Sequence, residues 1–153
     1  MLIQLGSEHD SMGQELIIMQ STSLAMSPVY TFFLRATADL IDAGYAWPMT
    51  TWQDADCEAV YAEIDGKIIG HIVYSKEKLD KKILWITLSA VDPEYRGRGI
   101  YSLLHKYFES IAKELGCAYI ASQVHKNNTP RLQSAAKEDM KPAFYYMGKK
   151  IVV

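Results

Sequence analysis

Residues 83 to 115 read ILWITLSAVDPEYRGRGIYSLLHKYFESIAKEL. Ile83 to Val91 is almost continuously apolar, the pattern of a central strand covered on both faces. From Ile100 the apolar positions fall at 100, 103, 104, 107, 108, 111 and 115, a helical stripe closed by Gly116. The junction between strand and helix, VDPEYRGRGIY from Val91 to Tyr101, carries the chemistry. A helix start offers about four unpaired N–H donors and about half a positive charge. Gly97 and Gly99 put no side chain in the way of an approaching ligand, so backbone N–H groups can wrap phosphate oxygens. Arg96 and Arg98 add charge and further donors. Two nucleotide motifs are excluded. A P-loop closes on Gly-Lys-Ser/Thr, whereas Gly99 is followed by Ile100 and Tyr101. A dinucleotide fingerprint requires a third glycine, and position 102 is Ser.

Working outward, EAVYAEI and KIIGHIVYS flank Asp65-Gly66, a dipeptide favoured in two-residue hairpin turns. With Ile83–Val91 they make a three-stranded meander. CAYIASQVH, residues 117–125, is the next strand; the strand–helix–strand order makes it parallel to its predecessor. SPVYTFFLRATADLIDAG reads as a helix with Ser27 as N-cap, Pro28 in the first turn and Gly44 as its stop. Residues 2–5 suggest a short first strand and residues 11–20 a weakly patterned helix. NNTPRLQSAAKED gives a short helix, and KPAFYYMGKKIVV a final extended segment. The fold class expected is α+β, three layers, with a mixed sheet.

The 153 residues fit one domain, 1–153, with 49% hydrophobic and 22% charged residues. A net charge of -2 argues against nucleic acid or an anionic membrane as partner. No apolar run is long enough to span a membrane, and MLIQLGSEHD lacks the pattern of a signal peptide. Cys57 and Cys117 suit buried thiols in a reducing cytoplasm, and His9, His71, His105 and His125 show no metal-ligand spacing. An exposed edge from FYYMGKKIVV would offer a surface for a homodimer.

The stretch LSAVDPEYRGRGIYSLL resembles the acetyl-CoA-binding motif of the GNAT superfamily of N-acetyltransferases, Arg/Gln-x-x-Gly-x-Gly/Ala. Arg96 and Gly99 fill its first two fixed positions, and the order of elements extends the likeness over about residues 57–145. The resemblance implies a mostly antiparallel sheet with a splayed central parallel pair, flanked by helices. It implies that the pantetheine arm of acetyl-CoA bonds to the backbone of Ser89, Ala90 and Val91. The pyrophosphate would rest on Arg96, Gly97, Arg98, Gly99, Ile100 and Tyr101, and Asn128 in HKNNTPRL matches the family's cofactor-contacting Asn. The acceptor would be a primary amine on a small molecule or protein, in a pocket built largely from the first helices and their loop, where Trp47, Trp52 and Asp54 lie.

Three positions depart from the family pattern. Tyr101 replaces the third small residue; its ring must point away from the pyrophosphate or narrow the site. Gln123 stands where many relatives carry a basic Glu, and Ala135 where they carry an acidic Tyr. Amine acetylation requires a neutral amine, so a base and an acid are sought elsewhere. His125 shares a strand face with Gln123 by alternation and is the candidate base. Tyr145, with its neighbour Tyr146, is the candidate acid; Glu63 and His71 on the hairpin are further candidates. Two functional readings remain: an acetyl-CoA-dependent N-acetyltransferase, and a domain of the same fold that has lost catalysis and serves in binding or structure.

Overall fold

The computed structural model describes residues 1–45, 57–76, 82–143, 147–149 and 151. Among the described residues, six strands form one sheet in sequence order: β1 Leu2–His9, β2 Glu15–Ser21, β3 Cys57–Ile64, β4 Lys67–Lys76, β5 Ile83–Val91 and β6 Tyr119–Ser122. Every neighbouring pair is antiparallel except β5 and β6, which run parallel across the crossover helix α2, Ile100–Glu114. The expected mixed, mostly antiparallel sheet is therefore present.

The sheet is covered on both faces. On one side, Phe33 of α1 (Tyr30–Asp42) packs with Val29, Ala59, Tyr61, Val73 and Leu88. On the other, Ile100, Leu104, Phe108 and Ile111 of α2 pack on Val60, Ile72, Tyr74, Leu84 and Ile86. The α2 positions expected from the stripe are those that bury, apart from Leu103 and Tyr107, which are partly exposed, and exposed Leu115. In the β3–β4 turn, Asp65 and Gly66 take φ 49 and 78, the two positive values that a type I′ turn requires. A last helix, α3, spans Thr129–Lys137.

Several expectations need correction. The helix expected over 11–20 is strand β2. Its Leu16 and Ile18 bury alternately, and a turn closed by Gly13 (φ 80) folds it back on β1. Strand pairing on both sides overrides the weak helical pattern. β1 is correspondingly longer than residues 2–5. Ser27 lies two residues before the α1 N-cap, Val29; its Oγ accepts the Val29 N–H at 3.2 Å. β6 stops at Ser122, so Gln123 and His125 lie beyond it and the shared strand face does not exist. The described residues of the tail, 141–143, 147–149 and 151, carry no strand, and Tyr145 and Tyr146 lie outside the described residues.

The β5–β6 pairing ends at Ile86 and Ser122, whereas β5 runs on to Val91. The break has a local cause. Val73 and Tyr74 of β4 oppose Leu88 and Ile86, leaving Thr87 as an extra residue in β5. Such a bulge bends the strand and increases its twist. Beyond it, Leu88 to Val91 pair only with β4 among the described residues, and their other edge is left open.

Candidate functional site

The open edge of β5 leads straight into the junction. Asp92 caps a 3-10 turn at Pro93–Tyr95, its Oδ1 accepting the Glu94 N–H at 3.0 Å. Gly97 and Gly99 then both take φ 77, with Gly99 as the α2 N-cap. A Cβ added at either would meet no atom within 4 Å, so glycine is needed here for its backbone rather than for space. Among the described residues, no acceptor meets the N–H groups from Gly97 through Ser102. Consecutive free amides at a helix start form the anion-binding concavity that the sequence suggests. Ile100 contributes only its backbone, because its side chain is buried in the core.

The two arginines have different duties. Arg96 is exposed, and its Nε donates to the Val91 carbonyl at 3.0 Å, leaving its terminal nitrogens without partners among the described residues. Arg98 is turned back into the fold. Its Nη2 donates to the Glu94 carbonyl at 3.2 Å and its Nη1 to Gln14 Oε1 at 3.3 Å. Its Nη1 also lies 3.6 Å from Asp10 Oδ2, and its carbonyl accepts the Ser11 N–H at 3.0 Å. The guanidinium stacks on Tyr95 at 4.8 Å, and Lys67 stands over the same ring at 5.1 Å. Arg98 thus braces the loop against the β1–β2 turn, and its side chain is not a free phosphate ligand.

Asp10 completes the brace and was not singled out from the sequence. Its Oδ1 accepts the N–H groups of Met12 and Gln14, both at 2.9 Å. Burial pushes its carboxyl up, but these donors and Arg98 outweigh burial and hold it below the usual range. The Asp-x-x-Gly pattern of residues 10–13 is the signal that marks such a turn.

On the far side of the gap, Asn128 is the α3 N-cap, and its Oδ1 accepts the Arg131 N–H at 3.2 Å. Its side-chain NH2 remains for a ligand. Arg131 lies 5.1 Å over the Tyr101 ring, and its Nη2 is buried with no well-formed hydrogen bond among the described residues. Tyr101 is half-buried against the core. Its ring packs between Arg131 and His105, 5.8 Å from the latter, and its hydroxyl is buried toward Ser89. Burial pushes the phenol up. α3 is tied to α2 by Glu138, whose Oε1 accepts from Ser102 Oγ at 2.6 Å and whose Oε2 lies 3.7 Å from His105 Nδ1.

The candidate catalytic groups are less convergent. His125 Nδ1 accepts the Asn127 N–H at 3.1 Å, so the proton of the neutral ring sits on Nε2. That arrangement makes His125 a donor; service as a base requires the Nδ1 bond to break. Gln123 is exposed and Ala135 is buried. Glu63 lies on β3, two strands from the gap. His71 is better placed, on β4 directly across from Ala90. It is fully buried edge-on to Phe32 at 4.9 Å, and neither ring nitrogen finds a partner among the described residues. Burial lowers its pKa to about 4. Trp47, Trp52, Asp54 and Tyr145 lie outside the described residues. No described helix is long and apolar enough to cross a membrane.

Comparison with known proteins agrees with this architecture. The aminoglycoside acetyltransferase AAC(6')-Iy, solved with a bisubstrate analogue of coenzyme A, superposes with a TM-score of 0.65 at 15% identity, covering 90% of this chain and 99% of its own. An aminoglycoside acetyltransferase from an uncultured soil metagenomic sample, solved with sisomicin, gives 0.63 at 18% identity over 88% and 97%. The ribosomal-protein-alanine N-acetyltransferase of Brucella melitensis biovar Abortus 2308 gives 0.61 at 18% over 90% and 99%. At these identities the likeness is one of fold. No curated protein matches the chain. Residues 25–137 match the acetyltransferase (GNAT) family, and they contain the bulged strand, the amide loop and the capped α3. The chain belongs to the GNAT family.

Proposed function

We propose that this protein is an acetyl-CoA-dependent N-acetyltransferase acting on a primary amine of a small molecule or protein. The observation that carries the reading is the run of N–H groups from Gly97 through Ser102 that meet no acceptor among the described residues, continuous with the open edge of β5. These residues fit the phosphates of coenzyme A: donors at a helix start, no side chain over the two glycines, and Arg96 with free terminal nitrogens. The backbone of Ser89, Ala90 and Val91 would hold the pantetheine arm, and the Asn128 NH2 would close the far side. When bound, acetyl-CoA supplies an acetyl group activated as a thioester. The chain's own part is to hold that group in line with the amine, and proximity alone can supply much of a rate. In its present tautomer, the Nε2–H of His125 would donate a hydrogen bond to a leaving group, and full proton transfer would require the imidazolium.

A second reading, a GNAT fold without turnover, is favoured by exposed, non-titrating Gln123 and by the absence of a phenol at Ala135.

One experiment addresses both. Coenzyme A is titrated calorimetrically into wild type and Arg96→Ala, and free thiol is followed with acetyl-CoA and a panel of primary amines. Binding weakened about tenfold in the variant, roughly 1.4 kcal/mol, together with amine-dependent thiol release, is expected. Binding without release from any amine would favour the second reading. No binding heat at all would overturn both as cofactor-site proposals.

A further inference from the structure

Tyr101 holds a position where the loop motif carries Gly or Ala, and its ring lies among groups from three elements. Arg131 of α3 covers it at 5.1 Å, His105 of α2 lies 5.8 Å away, and its hydroxyl points toward Ser89 of β5. Ser89 belongs to the part of β5 that has parted from β6. The ring therefore fills the space between β5 and α3 that the preceding section allots to the pantetheine arm.

Two polar atoms in that space, Tyr101 Oη and Arg131 Nη2, are buried and make no well-formed hydrogen bond among the described residues, although the hydroxyl lies close to both Ser89 and Arg131. A buried donor left unpaired is a standing penalty. Stacking beneath the guanidinium and burial of the ring oppose it. Turning the ring out returns the hydroxyl to water and uncovers Arg131 Nη2 for a ligand oxygen. The helix pair need not part, because the contacts of Glu138 with Ser102 and His105 do not involve Tyr101.

We propose that Tyr101 is a gate: its side chain and the pantetheine arm of coenzyme A compete for one cleft, and the cofactor is seated only after the ring leaves its stack on Arg131. The inference rests on the coenzyme A reading of the site. A ring seated in the cleft about nine-tenths of the time lowers apparent affinity about tenfold.

The test is calorimetric titration of coenzyme A into wild type, Tyr101→Ala and Tyr101→Phe, with thermal melts of the unliganded proteins to verify folding. Tyr101→Ser replaces the Ala variant if that one fails to fold. Tyr101→Ala should bind about tenfold more tightly than wild type. Tyr101→Phe keeps the ring in the cleft and should fall well short of the gain seen with Tyr101→Ala. Binding by Tyr101→Ala with a silent wild type would support the gate equally. If wild type binds and the Ala variant binds no more tightly, the gate is wrong while the coenzyme A reading stands. If no variant gives heat, the coenzyme A reading fails and the gate falls with it.

Discussion

Replacing Gly99 by Ala isolates a single term in the construction of the loop. Gly99 sits at φ 77 and ψ 11, in the left-handed region, immediately before α2. A Cβ at this position meets nothing within 4 Å, so no clash contributes. What remains is the backbone cost of a left-handed L-residue, about 1–2 kcal/mol, and less for Asn, whose short polar side chain tolerates this conformation. For a chain of this size each kcal/mol moves the midpoint by roughly 2–4 °C. Gly99→Ala should therefore melt about 2–8 °C below wild type, and Gly99→Asn by clearly less. The ligand provides a second readout. If the Ala backbone escapes to negative φ, the amides of Gly97 to Ser102 no longer share one concavity. Coenzyme A affinity should then fall about five- to thirtyfold, the same energy expressed as binding. Thermal melts and calorimetric titrations of both variants measure this. If Asn proves as damaging as Ala, bulk against the ligand is the cause and the strain argument is refuted. If Ala changes neither melt nor affinity, the left-handed turn is not what builds the site.

Two further expectations follow from buried groups. His71, lowered by burial to about 4 from a usual 6.5, stays neutral in the fold while the unfolded chain takes up a proton. Stability is therefore complete above pH 6.5, declines through the window down to about 4 at up to about 1.4 kcal/mol per pH unit, and is flat below it. His71→Phe should remove that slope in denaturant titrations from pH 4 to 8; an unchanged slope would show that other groups carry it. At the sheet edge, a Cβ at Gly6 would run into the Tyr107 phenol, which donates to Glu8 Oε1 at 2.9 Å. Gly6→Ala should cost about 1–3 kcal/mol as overpacking, partly recovered when Tyr107→Phe removes the oxygen; additive losses in the double variant would contradict the contact.

The elements that read correctly from sequence are those whose signals are local and mutually consistent. The stripe of α2, the Asp65-Gly66 turn and the Gly97/Gly99 loop each follow from side-chain period or from a required positive φ. β2 was misread because ELIIMQS shows its strand character only when β1 and β3 lie on either side of it. The placement of His125 failed for a similar reason, since nothing near CAYIASQVH marks Ser122 as its last paired residue. That limit is imposed by a bulge at Thr87, in another strand.

By itself the sequence determined the order of elements from β3 to α3, the parallel crossover and the amide loop, because helix periodicity, turn chemistry and crossover handedness act over short stretches of chain. It also marked Tyr101 as an unusual residue in that loop. Only the tertiary structure decided what the unusual residues do. Arg98 could have faced ligand or fold, and it turned inward because Asp10 and Gln14, far away in sequence, meet it there. Tyr101 could have pointed outward, and it lies beneath Arg131 because α3, far along the chain, brings that guanidinium over its ring. Side-chain direction at such positions is chosen by partners that the chain delivers only on folding, and no local pattern records them.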